Sequence, residues 1–252
     1  MKINYALLLF VYSPVLLLLV INRLRTRFEP ENKVIQLCTW SLLPVIGLIF
    51  LVLSEEEFIS LWAVNLIPIL KSYPYNSLAF EVFKLLFELL LLITIYVILR
   101  FYYKVRFLEV FDVRVVHLPF VLKICGVLAV INILSIFVFK WTPAHIDFIK
   151  SLDRHGMVLA LVVAIVVAPL EEEIIFRGLL YPPLHRKVGR VLAIVITSLI
   201  WTQTHFENLP TSIAIFIIGI ILGWLYSRSG SLLTTIILHS FKNSWILVYL
   251  LK

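Results

Sequence analysis

Hydrophobic side chains in this sequence occur in long uninterrupted runs that are separated by short polar stretches. The runs lie at roughly 4–22, 34–53, 58–70, 78–99, 118–139, 157–184, 190–206, 211–227 and 231–251. Most approach the roughly 20 residues that an α-helix needs to cross a bilayer core. The run at 58–70 is shorter and contains Pro68, which favours an interfacial or re-entrant segment. The pattern therefore predicts an all-α fold, a polytopic transmembrane helical bundle of about eight spans.

Composition strengthens this interpretation. Hydrophobic residues make up 62% of the 252 residues and charged residues only 15%, and the mean hydropathy is +1.03. A soluble domain of this size could not bury that much apolar surface. The net charge of +7 comes from basic residues between the runs, without a basic stripe interleaved with aromatic residues, so no nucleic-acid partner is expected.

The distribution of basic residues predicts an orientation in the membrane. The loops after the first, third, fifth and seventh spans hold twelve lysines and arginines, against six on the opposite side. Because basic loops remain in the cytoplasm, these four loops are expected to be cytoplasmic. We expect an integral, multi-pass protein of a prokaryotic inner or plasma membrane, with membrane lipid among its partners.

The sequence APLEEEIIFRG, at residues 168–178, places three glutamates at the end of an apolar run. Carboxylates beside a hydrophobic span are costly, and they indicate a functional site. Glu173 and Arg177 are spaced i, i+4, which favours an ion pair on one helix face. At about 100° per residue, Glu172 lies on another face. The spacing therefore predicts that Glu173 and Arg177 support a site in which Glu172 acts, while Glu171 has no assigned role.

The triplet Glu55–Glu57 shows that acidity alone is not sufficient. It also lies near the end of an apolar run, but no basic residue follows within three to five positions. A solvated acidic cluster explains it. A second polar feature, Glu81, Lys84 and Glu88 within one run, indicates a self-neutralised stripe facing the bundle or its rim, or a lining for a substrate or water path.

Two later runs contain polar residues that could meet Glu172. His205 lies near the end of the 190–206 run, where an interfacial role is the simpler alternative. His239 and Asn243 share a helix face at i, i+4, as an interhelical hydrogen-bonding pair also would. At about 1.5 Å per residue, the four residues lie roughly 12 to 22 Å from the cytoplasmic ends of their helices. Residues from three helices can therefore meet inside the membrane.

The three motifs together resemble a known family. EEIIFR at residues 172–177, Trp201-x-x-x-His205 and HSFKN at residues 239–243 are similar to motifs of the CAAX prenyl protease and bacteriocin-processing family, also called the Abi or type II CAAX endopeptidase family. The resemblance covers roughly 157–252, and Trp201 stands where the family usually has Phe.

The resemblance implies an intramembrane glutamic endopeptidase with two parts. Residues 1–156 would form the N-terminal transmembrane helices, the variable part, and 157–252 a catalytic four-helix core. The implied catalytic residues are Glu172, His205, His239 and Asn243, and the implied supporting residues are Glu173 and Arg177.

Peptide hydrolysis needs an activated water and stabilisation of an oxyanion. We expect Glu172 to take a proton from water, His205 to orient or share that proton, and His239 and Asn243 to donate hydrogen bonds to the oxyanion. A zinc-dependent version would use Glu172, His205 and His239 as ligands. The sequence has no HExxH motif and these residues come from three runs, so the interpretation without a cofactor is favoured.

Two other classes of function remain open at this point. The chain could be a non-enzymatic immunity or maturation factor, or a small-solute transporter. For a protease, the expected substrate is a membrane-embedded or lipidated peptide or protein that arrives through the membrane. The processes that the family resemblance allows are C-terminal processing of prenylated proteins and bacterial roles in peptide maturation, bacteriocin immunity or sorting of surface proteins.

Overall fold

A computed structural model describes the residues 42, 45–47, 78–106, 119, 121–126, 129, 149–152, 154–205 and 209–250. This part of the chain is mostly helical and contains no β-strand, so the all-α class is confirmed for it. The predicted runs at 4–22 and 58–70, the Glu55–Glu57 triplet and most of the runs at 34–53 and 118–139 lie outside the described residues. The count of about eight spans and the division at residue 156 stay predictions.

Regular helices and π-helical turns alternate along the described chain. In order they are α1 (Leu78–Val97), π1 (Ile98–Tyr102), α2 (Arg154–Val162), π2 (Val163–Val167), α3 (Ala168–Glu173), π3 (Ile174–Leu180), α4 (Tyr181–Val188), α5 (Arg190–Gln203), α6 (Leu209–Ser229), α7 (Leu232–Ser244) and α8 (Ile246–Leu250).

Two helical stretches among the described residues are long and apolar enough to cross a membrane. They are Glu81–Tyr102, with 22 residues, and Thr211–Ser229, with 19 residues. At about 1.5 Å per residue these reach roughly 33 and 28 Å, close to the thickness of a bilayer core. The outward face of the first is apolar, since Leu86, Leu90 and Ile93 are 58, 59 and 58% exposed. Such a face suits contact with lipid.

The polar stripe of α1 lies on the opposite, buried side. Glu81 and Glu88 are buried together with Leu91, and Lys84, which is half-buried, interacts electrostatically with Glu81. The buried side of α1 packs against α2 and touches α3. The stripe therefore faces the bundle, as one of the two sequence interpretations expects.

The 157–184 run belongs to one helical stretch that extends from Arg154 to Val188 and is interrupted by the turns π2 and π3. The sequence predicts a bend at Pro169, and π2 ends two residues before it. Because proline has no N–H to donate, a change of hydrogen-bond register beside it has a physical cause. The stretch ends at Gly189, whose φ of 80° lies in the region that favours glycine.

Helices α5 and α6 pack closely through two glycines. A Cβ at Gly219 would lie 3.0 Å from both Ser198 Cβ and Trp201 Cε3, and one at Gly223 would lie 3.1 Å from Ile194 Cγ2. Because glycine has no side-chain atoms, the backbones of the two helices can approach each other. Small residues at a four-residue spacing have the same effect in other membrane proteins. The close approach brings α6 against the face of α5 that carries Trp201.

The last run, predicted as one segment, divides into α7 and α8 at Trp245. Ser231 caps the N-terminus of α7, and its side chain accepts a hydrogen bond from the backbone N–H of Thr234 at 3.3 Å. It packs across α3 and π2. This packing places His239 beside the glutamates of α3.

Candidate active site

A buried ion pair forms the base of the site. Arg177 Nη1 donates to Glu173 Oε1 at 2.9 Å, and the side chains are 1 and 0% exposed. Arg177 Nη2 donates to the carbonyl oxygen of Gly219 at 3.2 Å. The pairing predicted from the i, i+4 spacing is therefore present, and the arginine also connects the glutamate stretch to α6. Each charge compensates the other where water is excluded.

His239 lies between the two neighbouring carboxylates. Its Nδ1 is 3.0 Å from Glu173 Oε1, and its Nε2 is 3.9 Å from Glu172 Oε2. Because an ionised carboxylate only accepts hydrogen bonds, Nδ1 carries the hydrogen and donates it to Glu173. Nε2 is then the ring atom that faces Glu172. The Glu173 side chain thus orients both Arg177 and His239.

Glu172 has different surroundings from the glutamates on either side of it. Its side chain is 22% exposed, whereas Glu171 and Glu173 are 4 and 0% exposed. The indole Nε1 of Trp201 donates a hydrogen bond to Glu172 Oε2. Glu172 also interacts electrostatically with His205, His239 and Lys242. Of the three adjacent carboxylates, Glu172 is the one that a substrate or water can reach.

His205 completes the group from the turn that follows α5. Its Nδ1 lies 3.0 Å from the carbonyl oxygen of Trp201 and 3.3 Å from Thr204 Oγ1. Since a carbonyl only accepts, the hydrogen is on Nδ1 and Nε2 can accept a hydrogen bond from water. The ring stands edge-on to the Trp201 indole at 5.0 Å between centroids.

Asn243 lies one turn beyond His239, but its hydrogen bond goes elsewhere. Its Nδ2 donates to the carbonyl oxygen of Ala164, in π2, at 2.7 Å. Within the described residues, this bond goes to the backbone and not to a carboxylate of the site. An amide group carries two hydrogens, so one donor remains for another acceptor. Asn243 therefore connects α7 to π2 in addition to any role in chemistry.

Trp201 is the residue at the centre of the site whose role sequence reasoning missed. It is fully buried, and the Arg177 guanidinium carbon lies 4.9 Å from its ring centroid. The His239 ring meets it edge-on at 5.3 Å. Its i, i+4 spacing to His205 was a usable signal, as was the Gly219-x-x-x-Gly223 pattern of the helix behind it. The contact with Glu172, 29 positions away, has no signal in the sequence.

A zinc site is the alternative that the sequence raises for the same residues. The sequence offers Glu172, His205 and His239 as its three ligands. In the part of the chain that the structure describes, no group of three or more His, Cys, Asp or Glu side chains is arranged to hold a metal ion. Of the two ring nitrogens of His239, Nδ1 forms a hydrogen bond with Glu173. The mechanism without a cofactor therefore stays a prediction of the sequence.

Comparisons with known proteins agree with the motifs. Residues 154–245 match the family model described as type II CAAX prenyl endopeptidase Rce1-like. An Escherichia coli protein described as an uncharacterized 24.3 kDa protein is 33% identical over 87 residues, which cover 33% of this chain and 40% of that protein. The chain thus spans less than half the length of this relative. No solved structure matches the chain. Residues 154–245, which contain every candidate site residue, are therefore similar to type II CAAX prenyl endopeptidases, in agreement with the resemblance that the motifs indicate.

Proposed function

We propose that this protein is an intramembrane endopeptidase that hydrolyses a peptide bond of a lipidated or hydrophobic, membrane-associated substrate. The observation that carries the proposal is the position of Glu172. It is a partly exposed carboxylate that follows an apolar sequence, with His239 beside it and a buried Glu173–Arg177 pair next to it. A carboxylate in such a place lowers stability, so its presence indicates a functional site.

Glu172 acts as the general base in this mechanism. It takes a proton from a water molecule as the water oxygen attacks the carbonyl carbon of the scissile bond. His205, through Nε2, orients that water or shares its proton. The tetrahedral intermediate then collapses as the proton passes to the leaving amine, which releases a new C-terminal carboxylate and restores the ionised Glu172.

The developing oxyanion is stabilised by donors from α7. His239 donates from Nε2, which requires a hydrogen on both ring nitrogens because Nδ1 donates to Glu173. Asn243 donates the amide hydrogen that Ala164 does not use. Preoriented donors of this kind contribute most in a site from which water is largely excluded. Glu173 and Arg177 support the reaction by fixing the orientation of His239.

The zinc-dependent version is the mechanistic alternative, and it has a direct test. Peptidase activity of the purified protein is measured after prolonged dialysis against excess chelator, with added Zn²⁺ as the comparison. The mechanism proposed above predicts unchanged activity after dialysis. Loss of activity on chelation and recovery on addition of Zn²⁺ would replace it with the zinc mechanism.

The substrate is expected to enter from the bilayer. The family description names prenyl endopeptidases, and a prenylated C-terminal tail is a membrane-associated peptide of the required kind. The apolar outward face of α1 is consistent with lipid around the bundle. We therefore propose that it is a multi-pass protein of a bacterial inner or plasma membrane; the similar Escherichia coli protein is itself bacterial.

Comparison of membrane proteomes tests the function and can reveal the substrate in the same experiment. Cells with the wild-type chain, with Glu172→Gln or with Glu171→Gln are compared by mass spectrometry of protein C-termini. Glu171→Gln is the matched control, because it makes the same change one residue away. We expect uncleaved C-termini only with Glu172→Gln. Identical C-termini in all three strains would contradict a protease role.

A further inference from the structure

Trp201 is in contact with most of the side chains to which we assign a function. The guanidinium of Arg177 lies over its ring, and the imidazoles of His205 and His239 meet the indole edge-on. Its ring nitrogen donates to Glu172. The single indole therefore contacts the carboxylate, the arginine and both histidines of the site.

The hydrogen bond to Glu172 has a defined direction and a defined target. An indole N–H is a donor only, and a carboxylate oxygen accepts. Among the described residues, Trp201 supplies the hydrogen bond that the Glu172 carboxylate accepts, and it goes to Oε2. The same oxygen lies 3.9 Å from His239 Nε2. Oε1 is thereby left for water.

The indole itself has little freedom to move. It is fully buried, and a Cβ at Gly219 would come within 3.0 Å of its Cε3. Arg177 is fixed above it by hydrogen bonds to both Glu173 and the carbonyl oxygen of Gly219. A rigid donor can restrict a glutamate, whose flexible side chain otherwise populates several rotamers.

We propose that Trp201 is a positioning residue: its indole N–H fixes the Glu172 carboxylate so that Oε1 faces the water that is to be deprotonated. This inference rests on the function proposed above and adds a residue to it. Correct alignment of a base and its water accounts for a large part of catalysis, so the loss of this donor lowers kcat and leaves substrate binding intact. Phenylalanine fills part of the same space but has no donor.

A spectroscopic experiment tests the hydrogen bond independently of activity. The chain has six tryptophans, and the protein labelled with ¹⁵N in the indole rings and placed in nanodiscs gives their N–H signals by NMR. Trp201→Phe removes one signal and so assigns it. We expect Glu172→Gln to move that signal upfield, because a neutral amide is a weaker acceptor than a carboxylate. Glu171→Gln is expected to leave it unchanged.

A kinetic experiment tests the consequence. Trp201 is replaced by 3-benzothienylalanine, which keeps the bicyclic shape and has sulfur in place of the N–H. With a farnesylated CAAX reporter peptide, we expect kcat to fall about 10- to 100-fold, as the loss of one hydrogen bond to a charged group predicts. KM and the thermal unfolding midpoint are expected to stay at wild-type values, because the packing of the ring is kept.

The outcomes separate the inference from the proposed function. An indole signal that does not respond to Glu172→Gln overturns the inference, and so does an unchanged kcat in the benzothienyl variant. A variant that loses stability and kcat together shows a packing role and also overturns it. A wild-type protein without peptidase activity overturns the proposed function, and the indole signal then still decides whether Trp201 holds Glu172.

Discussion

At the scale of single residues, neighbouring glutamates differ because of what surrounds each of them. Glu173 is fully buried against Arg177 and His239, while Glu172 is partly exposed and bonded to Trp201. The pairing of Glu173 with Arg177 could be predicted, because it depends only on a four-residue spacing within one helix. The bond from Trp201 to Glu172 could not, because it depends on how α5 packs against α3.

Replacement of Arg177 tests the buried pair. Arg177→Met leaves the Glu173 carboxylate buried beside a single partner, and we expect a loss of about 3–5 kcal/mol in the free energy of unfolding. Arg177→Lys keeps the charge but cannot bond Glu173 and Gly219 at once, so a smaller loss is expected. Thermal and denaturant unfolding in one detergent measure both. Unchanged stability of Arg177→Met would show that the pair does not stabilise the fold.

Asn243 has a structural contact and a proposed chemical role, and one substitution separates them. Asn243→Ala removes the bond to Ala164, which is worth about 1 kcal/mol, and the donor to the oxyanion, which is worth about 10²- to 10³-fold in kcat. Stability and kcat are measured together, with Ser240→Ala on the same helix as the control. A stability loss without a fall in kcat would remove Asn243 from the catalytic mechanism.

At the scale of helices, the sequence predicts the positions of the apolar segments well. It predicts less well where a helix ends and where its backbone hydrogen bonds change to the π-helical pattern. The predicted runs at 190–206 and 211–227 overlap α5 and α6, because continuous hydrophobicity identifies a buried or lipid-facing helix. The turns π2 and π3 on either side of α3 were not foreseen, since hydrophobic periodicity does not distinguish one widened turn from a regular one. Such turns are rare and are often found at functional sites.

The contact between α5 and α6 gives a prediction at this scale. In Gly219→Ala the new Cβ would lie 3.0 Å from Ser198 and Trp201, and we expect a loss of about 1–3 kcal/mol in stability together with lower peptidase activity. Gly126→Ala is the control, because Gly126 is helical and has open space around it. There a neutral or stabilising effect is expected. Equal behaviour of the two variants would contradict the close packing.

At the scale of the whole molecule, the described helices and the hydropathy of the chain both point to a membrane. Two described stretches are long enough to span it, and the sequence predicts about eight spans in total. The family match covers residues 154–245 and so bears on the C-terminal part. Hydropathy gives the number and order of segments, whereas the meeting of three of them at one site depends on packing that hydropathy does not encode.

The predicted orientation has a labelling test. In a variant with Cys38 and Cys125 replaced, single cysteines at Lys187 and Lys71 are treated with a membrane-impermeant maleimide. Lys187 lies in the last turn of α4, in one of the more basic segments between predicted spans. We therefore expect labelling there only from the cytoplasmic side, and at Lys71 only from the opposite side. Labelling of both positions from one side would contradict the predicted topology.

The most direct test of the account is hydrolysis of a farnesylated CAAX reporter peptide by the purified protein in nanodiscs. Wild-type protein is compared with Glu172→Gln and with the matched control Glu171→Gln, after their thermal stabilities have been shown to be similar. We predict cleavage by the wild type and the control, and a loss of at least about 100-fold for Glu172→Gln, since a general base contributes that much or more. Full activity of Glu172→Gln would contradict the assignment of Glu172 as the base.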